Sequence, residues 1–119
     1  MQIKELQLKE LVPHEEINED RVFEVMYSLK NGQIEPILVD KNYGVVLDGH
    51  HRVEAARRLG WNMIQCNIVD YDNEVKLDFW NAEIRCSKCD VILLALSGYK
   101  FPPKTTKHTL CINCAQKND

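Results

Sequence analysis

Residues 45–60 constrain the fold of this chain of 119 residues more than any other stretch. Three apolar residues with strand propensity run directly into Asp48 and Gly49, and a short amphipathic pattern follows until Gly60 ends it. This order predicts a strand, a tight turn and a helix. The polar residues 48–52 therefore lie on the turn, between the end of the strand and the first turn of the helix.

The predicted turn has the properties of an anion-binding site. The first N–H groups of a helix have no partner within the helix, and the positive end of the helix dipole lies there. His50, His51 and Arg52 add side-chain donors. Asp48 places a carboxylate beside them that can hold Mg²⁺ or a substrate hydroxyl. Helix capping accounts for Asp48 and Gly49 alone, but cationic side chains oppose the dipole, so we favour phosphoryl chemistry.

A known family shares this segment. Residues 47–52 read Leu-Asp-Gly-His-His-Arg and precede an Ala-Ala pair and a Leu-Gly pair. This arrangement resembles the signature turn of the ParB N-terminal/sulfiredoxin-like superfamily, and the Asp-Gly-His-His-Arg form is similar to free L-serine kinases. Sulfiredoxins carry a reactive cysteine where this chain has His50, so their chemistry is not supported. The resemblance implies that Gly49, His50, His51 and Arg52 bind nucleotide phosphates.

Two further motifs extend the resemblance to free serine kinases. Residues 13–15 read Pro-His-Glu in a loop, and residues 103–108 read Pro-Lys-Thr-Thr-Lys-His near the C-terminus. The resemblance implies that Glu15 is the general base for the substrate hydroxyl. It also implies that the second segment is a loop that returns to the active site and binds phosphate and substrate through Lys104, Thr105, Thr106 and His108. Lys107 stands where the family has an arginine.

Each of these two motifs has a simpler interpretation when it is taken alone. Glu15 lies in an acidic stretch that would be solvated in most proteins, and residues 103–108 would form a basic surface loop. Three short motifs in the family's order are more specific than any one of them. Together they favour a kinase active site over the alternative that the three motifs are unrelated surface segments.

Four of the five cysteines predict a metal site in the last third of the chain. Cys86 and Cys89 form one C-x-x-C pair, Cys111 and Cys114 form another, and 21 residues separate the pairs. This spacing is typical of a zinc ribbon, in which four thiolates complete a closed tetrahedron without a catalytic position. Disulfides and redox or iron–sulfur chemistry are the alternatives, and reduced thiols in a cytosol favour zinc. Cys66 alternates with apolar strand residues and is predicted to be a core thiol.

The cysteine pairs and the short segment before them depart from the free serine kinases. A bound zinc ion contributes folding energy that a small domain otherwise lacks. We therefore expect zinc to close the tail and to present residues 104–108 to the active site.

Composition and charge limit the classes of function. The net charge is −3 and the pI about 5.8, so no overall basic surface attracts nucleic acid. Five lysines nevertheless make the tail basic: Lys88, Lys100, Lys104, Lys107 and Lys117. No apolar run reaches 18 residues and the first residues lack a signal-peptide pattern, so we expect a cytoplasmic protein without a membrane span.

The periodicities predict an α/β domain with a small mixed sheet. Strands are expected near residues 3–8, 61–71 and 75–80, and a hairpin is expected from 36–40 and 45–47. Helices are expected at about 18–31, where Asn18 can act as the cap, and at about 49–59. We expect a nucleotide-binding domain over residues 1–85 and a zinc-binding tail over residues 86–119.

The sequence predicts a nucleotide-dependent kinase of a small hydroxyl substrate, with free L-serine giving O-phosphoserine as the leading reaction. Glu15 would be the base, Asp48 would orient Mg²⁺ or the hydroxyl, and ATP or ADP would be the donor. The alternative is a ParB-like nucleotide-binding regulator with a nucleic-acid contact in its tail. A nuclease rests on fold analogy alone. The sequence does not choose between ATP and ADP, and it does not give the oligomeric state.

Overall fold

Four strands form a mixed sheet that carries the rest of the chain. The computed structural model describes residues 2–33, 35–80 and 83–111. The strands of this sheet are β1 (Gln2–Gln7), β2 (Ile37–Asp40), β3 (Val46–Asp48) and β4 (Met63–Val69). Their order is β1-β4-β2-β3, and β4 is antiparallel to β1 but parallel to β2. The antiparallel β2–β3 pair confirms the predicted hairpin.

Helices and a second, two-stranded sheet complete the fold. The helices are α1 (Glu19–Lys30), α2 (His50–Arg58), α3 (Tyr71–Glu74) and α4 (Lys88–Leu96), and a 3-10 turn covers Leu8–Glu10. Strands β5 (Val75–Phe79) and β6 (Thr106–Leu110) pair antiparallel. The α1 and α2 predictions are confirmed. The tail prediction needs correction, because residues 106–108 form strand and not loop, and α4 was not predicted. No helix among the described ranges could span a membrane.

Helix α1 forms because its cap and its apolar stripe agree. The side chain of Asn18 accepts a hydrogen bond from the N–H of Arg21 at 3.1 Å, which confirms the predicted cap. Val22 and Leu29 are buried on the face that packs against α2. Burial of each such side chain contributes about 1.5–3 kcal/mol. Arg58 of α2 joins the two helices with a bidentate ion pair to Glu19 at 2.7 and 2.8 Å.

The central sheet has an apolar cluster on each face. One face packs against α1 and α2, and Cys66 lies fully buried within that cluster, which confirms it as a core thiol. The opposite cluster joins Leu38 and Leu47 of the sheet with Val91 and Ala95 of α4. Because side chains alternate along a strand, neighbouring residues of β2 enter different clusters.

The segment after residue 85 is continuous with the domain before it. Ser87 caps α4 in a capping box with Asp90, and Val91 then packs into the second cluster. The β5–β6 pairing joins strands from both sides of the boundary that the sequence suggested at residue 85. That boundary stays a prediction.

Gly49 sets the junction between β3 and α2. Its φ is +110°, a conformation that residues with a Cβ rarely adopt. A Cβ placed here would lie 2.5 Å from Cγ2 of Ile37 and 2.8 Å from its Cβ. The turn that carries residues 48–52 therefore depends on the absence of a side chain at this position.

We expect Gly49→Ala to lower the free energy of unfolding by about 3 kcal/mol, because strain of the positive φ adds to overpacking against Ile37. Urea denaturation measures the change. Gly60→Ala is the matched control, since Gly60 has a φ of +83° and a Cβ at this position would meet nothing within 4 Å. The control should lose only about 1–2 kcal/mol. An equal decrease in the free energy of unfolding in both variants would contradict the overpacking against Ile37.

Candidate active site

Three segments that are distant in sequence meet at the end of the central sheet. The loop at residues 13–15 lies between β3 and the stretch that leads into β6. The N–H of Phe101 donates to the carbonyl of His14 at 2.8 Å, and Phe101 accepts from the N–H of Glu16 at 2.7 Å. Val46 of β3 donates to the carbonyl of Val12 at 2.8 Å. The structure therefore brings the three motifs of the sequence together, with α2 beginning beside them.

Glu15 is held at the centre of this junction. Its side chain is only 9% exposed. Its Oε2 accepts two hydrogen bonds from Thr106, one from the backbone N–H at 2.7 Å and one from the hydroxyl at 2.5 Å. Hydrogen bonds to a carboxylate are stronger than those between neutral groups, so these contacts fix the carboxylate in one orientation.

His14 is fully buried behind Glu15. Its ring nitrogens lie 2.8 Å from the carbonyl oxygen of Val46 and 2.7 Å from the hydroxyl of Thr106. Burial is the main cause that lowers its pKa, and the neighbouring Glu15 carboxylate partly offsets it. The Pro-His-Glu motif gave His14 no role of its own. The one signal in the sequence was its position next to the predicted base, Glu15.

The two adjacent histidines act differently from their predicted role as phosphate donors. Nε2 of His50 accepts the backbone N–H of His14 at 3.0 Å, and Nε2 of His51 accepts that of Asn18 at 3.0 Å. Burial lowers the pKa of His50 well below its ordinary value and also lowers that of His51. These rings are therefore neutral acceptors that fix the neighbouring backbone. Only Nδ1 of each ring remains to serve a phosphate.

Arg52 joins α2 to the start of β2. One guanidinium nitrogen donates to the carbonyls of Glu35 and Pro36 at 2.8 and 3.2 Å, and the other lies 3.3 Å from Oδ2 of Asp48. The Asp48 side chain is 61% exposed beside the turn. Arg52 thus orients the carboxylate of Asp48 at the mouth of the site. Its other hydrogen bonds go to backbone carbonyls and stabilise the fold.

The residues of the motif at 103–108 fall into two groups, one that lines a cavity and one that is buried in the protein interior. Lys104, with a φ of +56°, and Thr106 line the cavity next to Glu15. The buried hydroxyl of Thr105 donates to the carbonyl of Pro102 at 2.7 Å. His108 is also buried, with Nε2 2.7 Å from the hydroxyl of Tyr71. Thr105 and His108 therefore shape the segment, while Lys104 and Thr106 face the site.

Two cavities adjoin at Glu15 and His50, which line both of them. One, of about 220 Å³, is bounded by the turn at residues 48–52 and also by Arg21, Trp80, Lys104 and Thr106. The other, of about 260 Å³, is lined by charged side chains of both signs: Glu16, Glu54, Arg57 and Lys100. Sequence reasoning missed Arg21, Trp80, Arg57 and Lys100 as site residues, because only the tertiary fold brings them to the cavities.

The predicted zinc site lies only partly within the described residues. Cys86 and Cys89 are free thiols at the start of α4, and Cys86 packs against the second cluster together with Leu110. Cys111 is disulfide-bonded, so zinc binding by this residue requires its reduction. Cys114 lies outside the described residues. Within the described ranges no group of three or more His, Cys, Asp or Glu side chains could hold a metal ion.

Comparison with known proteins gives a family and a fold. The family model described as "ParB N-terminal domain" matches residues 1–83. A ParB-like protein of Sulfolobus acidocaldarius is 43% identical over 75 residues, which cover 61% of this chain and 38% of the relative. An ATP-dependent L-serine kinase of Staphylothermus marinus is 37% identical over 82 residues, covering 63% of this chain and 32% of the kinase. The chain thus spans about a third of the length of these relatives.

A solved structure extends the likeness of fold past residue 83. A variant of a free serine kinase in complex with ADP superposes with a TM-score of 0.81 at 16% identity, covering 92% of this chain and 88% of the kinase. The architecture therefore matches over most of the chain, including a large part of the segment that follows the family match.

We expect the buried histidines to make the fold sensitive to acid. Burial lowers the pKa of His108 to about 3. A histidine in the unfolded chain titrates near 6.5, so the unfolded state binds more protons and the free energy of unfolding falls as the pH falls below that value. For His108 alone we expect a loss of about 2 kcal/mol between pH 7 and pH 5, measured by urea denaturation. His108→Gln, which still offers Tyr71 a hydrogen-bonding partner, should lose this share of the pH dependence. An unchanged dependence would contradict the prediction.

Proposed function

We propose a function from one premise, which is that this chain belongs to the ParB N-terminal domain family. The proposed activity is that of a nucleotide-dependent kinase that phosphorylates a small hydroxyl substrate, with free L-serine giving O-phosphoserine. The observation that carries the proposal is Glu15, a buried carboxylate held by Thr106 in the wall between two adjoining cavities. The names of the serine kinase relative and of the ADP complex support it.

The smaller cavity suits the phosphates of the donor nucleotide. The first turn of α2 directs backbone N–H groups towards it, and the helix dipole favours negative charge there. Lys104 and Arg21 add positive charge from two other segments. Cations from several elements can neutralise the charge that is distributed over the oxygens of a transferring phosphoryl group.

Asp48 fits the role of a magnesium ligand at the same cavity. Mg²⁺ takes few protein ligands and is bound through one or two carboxylates together with substrate phosphates. The exposed carboxylate of Asp48 stands beside the helix start, and Arg52 restrains one of its oxygens. When bound, Mg²⁺ would neutralise phosphate charge. ATP and ADP are both candidate donors.

The larger cavity suits an amino-acid acceptor. A free α-amino acid carries a carboxylate and an ammonium group, and this cavity offers partners for both charges. Arg57 and Lys100 can contact the carboxylate, and Glu16 and Glu54 can contact the ammonium group. A hydroxyl side chain placed between these groups and the smaller cavity would lie against Glu15.

In the proposed reaction Glu15 takes the proton of the substrate hydroxyl. The hydroxyl oxygen forms a bond to the terminal phosphorus as the bond to the nucleotide breaks. Lys104 and the N–H groups at the start of α2 stabilise the charge on the phosphoryl oxygens. Nε2 of His50 and Nε2 of His51 accept the N–H groups of His14 and Asn18, and these hydrogen bonds keep the backbone on either side of Glu15 in place.

A ParB-like regulator that binds nucleotide without turnover is the second candidate. The family membership and the ParB-like relative favour it. One lysine of the basic tail is already committed, because Lys88 Nζ donates to the carbonyls of Tyr71, Asp72 and Val75. The retention of Glu15 between two polar cavities favours the kinase, since a sensor does not need a base.

A structural zinc ion bound by Cys86, Cys89, Cys111 and Cys114 remains part of the proposal. Cys86 and Cys89 lie at the start of α4, and the N–H of Cys111 donates to the carbonyl of Glu74 at 2.7 Å. Cys86 and Leu110, the neighbour of Cys111, pack against the same apolar cluster. We propose a cytoplasmic location, with which the free thiols of Cys66, Cys86 and Cys89 agree and in which the disulfide of Cys111 would be reduced.

We expect fully reduced protein to carry about one Zn²⁺ per chain. Because a structural zinc site contributes folding energy, Cys89→Ser should lose the metal and loosen the tail, whereas Cys66→Ser should keep the metal. Elemental analysis and limited proteolysis measure both effects. Metal-free protein after careful reduction would end the zinc proposal without affecting the kinase proposal.

The kinase proposal is tested by incubating the protein with L-serine, Mg²⁺ and either ATP or ADP, and measuring phosphoserine. Glu15→Gln is nearly isosteric and should lower turnover by about 10²–10⁴-fold, because the base acts on the hydroxyl in the transition state. Its nucleotide affinity, measured by calorimetry, should stay close to that of the parent.

Glu10→Gln is the matched control, since Glu10 is exposed and lines neither cavity. It should phosphorylate serine at the parent's rate. If Glu15→Gln reacts as fast as the parent, the base is misassigned and Asp48 becomes the next candidate. If the parent binds nucleotide tightly but phosphorylates no small alcohol, the regulator replaces the kinase.

A further inference from the structure

We propose that Glu15, Thr106 and His14 share one proton, and that Thr106 and His14 strengthen the base by completing their hydrogen bonds when Glu15 accepts it. The proposal rests on the kinase function for its catalytic meaning. Thr106 and His14 are positioning residues, because they act through Glu15. The sequence motifs placed Thr106 at the phosphates and gave His14 no role.

Three hydrogen-bonding contacts link Val46, His14, Thr106 and Glu15 in series, and they contain too few hydrogens. Val46 O lies 2.8 Å from Nδ1 of His14, Nε2 of His14 lies 2.7 Å from the Thr106 hydroxyl, and that hydroxyl lies 2.5 Å from Oε2 of Glu15. Each contact needs one hydrogen. A carbonyl oxygen can only accept, so Nδ1 of His14 carries a hydrogen and, in the neutral ring, Nε2 carries none.

Neutral His14 and ionised Glu15 leave this chain of contacts one hydrogen short. The Thr106 hydroxyl has a single hydrogen, which can point to Nε2 of His14 or to Oε2 of Glu15 but not to both. In either arrangement two acceptor atoms face each other at 2.7 or 2.5 Å. One added proton removes the mismatch and completes all three hydrogen bonds.

The proton of the substrate hydroxyl supplies the missing hydrogen. The O–H bond of the substrate breaks and an O–H bond forms at Glu15, while the electron pair stays on the substrate oxygen and forms the bond to phosphorus. The proton on Oε2 can pass to Thr106 as Thr106 passes its own hydrogen to Nε2 of His14. The final state has an imidazolium, a threonine hydroxyl and a carboxylate, and no atom is gained or lost. The proton leaves to solvent after the product does.

The surroundings determine how firmly this proton is held. The ring of His14 lies at a centroid distance of 4.6 Å from that of His50 and 5.4 Å from that of His108, and burial lowers the pKa of both neighbouring rings. Other charged or titratable groups from four segments line the two cavities together with Glu15: Glu16, Arg21, Asp48, His51, Arg52, Glu54, Arg57, Lys100 and Lys104. The cations favour the carboxylate, so the completed hydrogen bonds must offset them.

The test is the pH midpoint of the His14 imidazole, followed by ¹⁵N NMR in the full chain, which has four histidines to assign. Loss of the hydroxyl in the isosteric variant Thr106→Val should lower the midpoint by about one pH unit, equivalent to one hydrogen bond. Thr106→Ser keeps the hydroxyl and should match the parent. Glu15→Gln should also lower the midpoint, because it removes the carboxylate charge that favours the protonated ring.

Equal midpoints in the parent and Thr106→Val would overturn the proposal, as would a low midpoint in Thr106→Ser. If Thr106→Val does not fold, Thr106→Ala takes its place with the same expected decrease in the midpoint. In the active enzyme, the acidic limb of kcat/KM for serine should move with the midpoint. The NMR readout needs no turnover, so shifted midpoints in a protein that phosphorylates nothing would remove the kinase function and leave the shared proton in place.

Discussion

The burial of His14 is the constraint on which the site depends. A fully buried imidazole is tolerated only if its polar atoms find partners, and the partners here come from β3, α2 and β6. Its backbone N–H, its two ring nitrogens and its carbonyl connect the loop at residues 13–15 to segments from the middle and last thirds of the chain. The loop that carries Glu15 is therefore positioned by contacts that also hold the fold together.

Local sequence predicted the features that need only local physics. The positive φ of Gly49, the cap at Asn18 and the alternation that buries Cys66 follow from propensity, capping and periodicity. The structural neighbour confirms the fold that the three motifs implied. Glu15 contacts Thr106, which lies 91 residues away. The order of the family's motifs predicted that these two segments meet, whereas no pattern in the residues themselves did.

The sequence-based predictions were wrong where two patterns in the same residues indicated different structures. Residues 91–96 are apolar without a helical period, and the cysteine spacing around them indicated a metal loop, so α4 was missed although Ser87 and Asp90 form a capping box. The loop prediction for residues 106–108 was wrong because their polar side chains hid the alternation that places Thr106 and His108 on the buried face of β6. The acceptor roles of His50 and His51 depend on backbone N–H groups from another element, which no local pattern contains.

These acceptor roles change where the positive charge of the site comes from. The two histidines at the helix start would add cations only if they were protonated, and burial keeps their pKa values low. Arg52 is engaged with two carbonyls and Asp48. In the proposed kinase, the phosphate charge would then be neutralised by Lys104, Arg21 and the N–H groups of α2, which lie on three different elements. Because these groups come from separate elements, they meet only in the folded chain. The same contacts that bury His14 therefore also create the electrostatic field around Glu15.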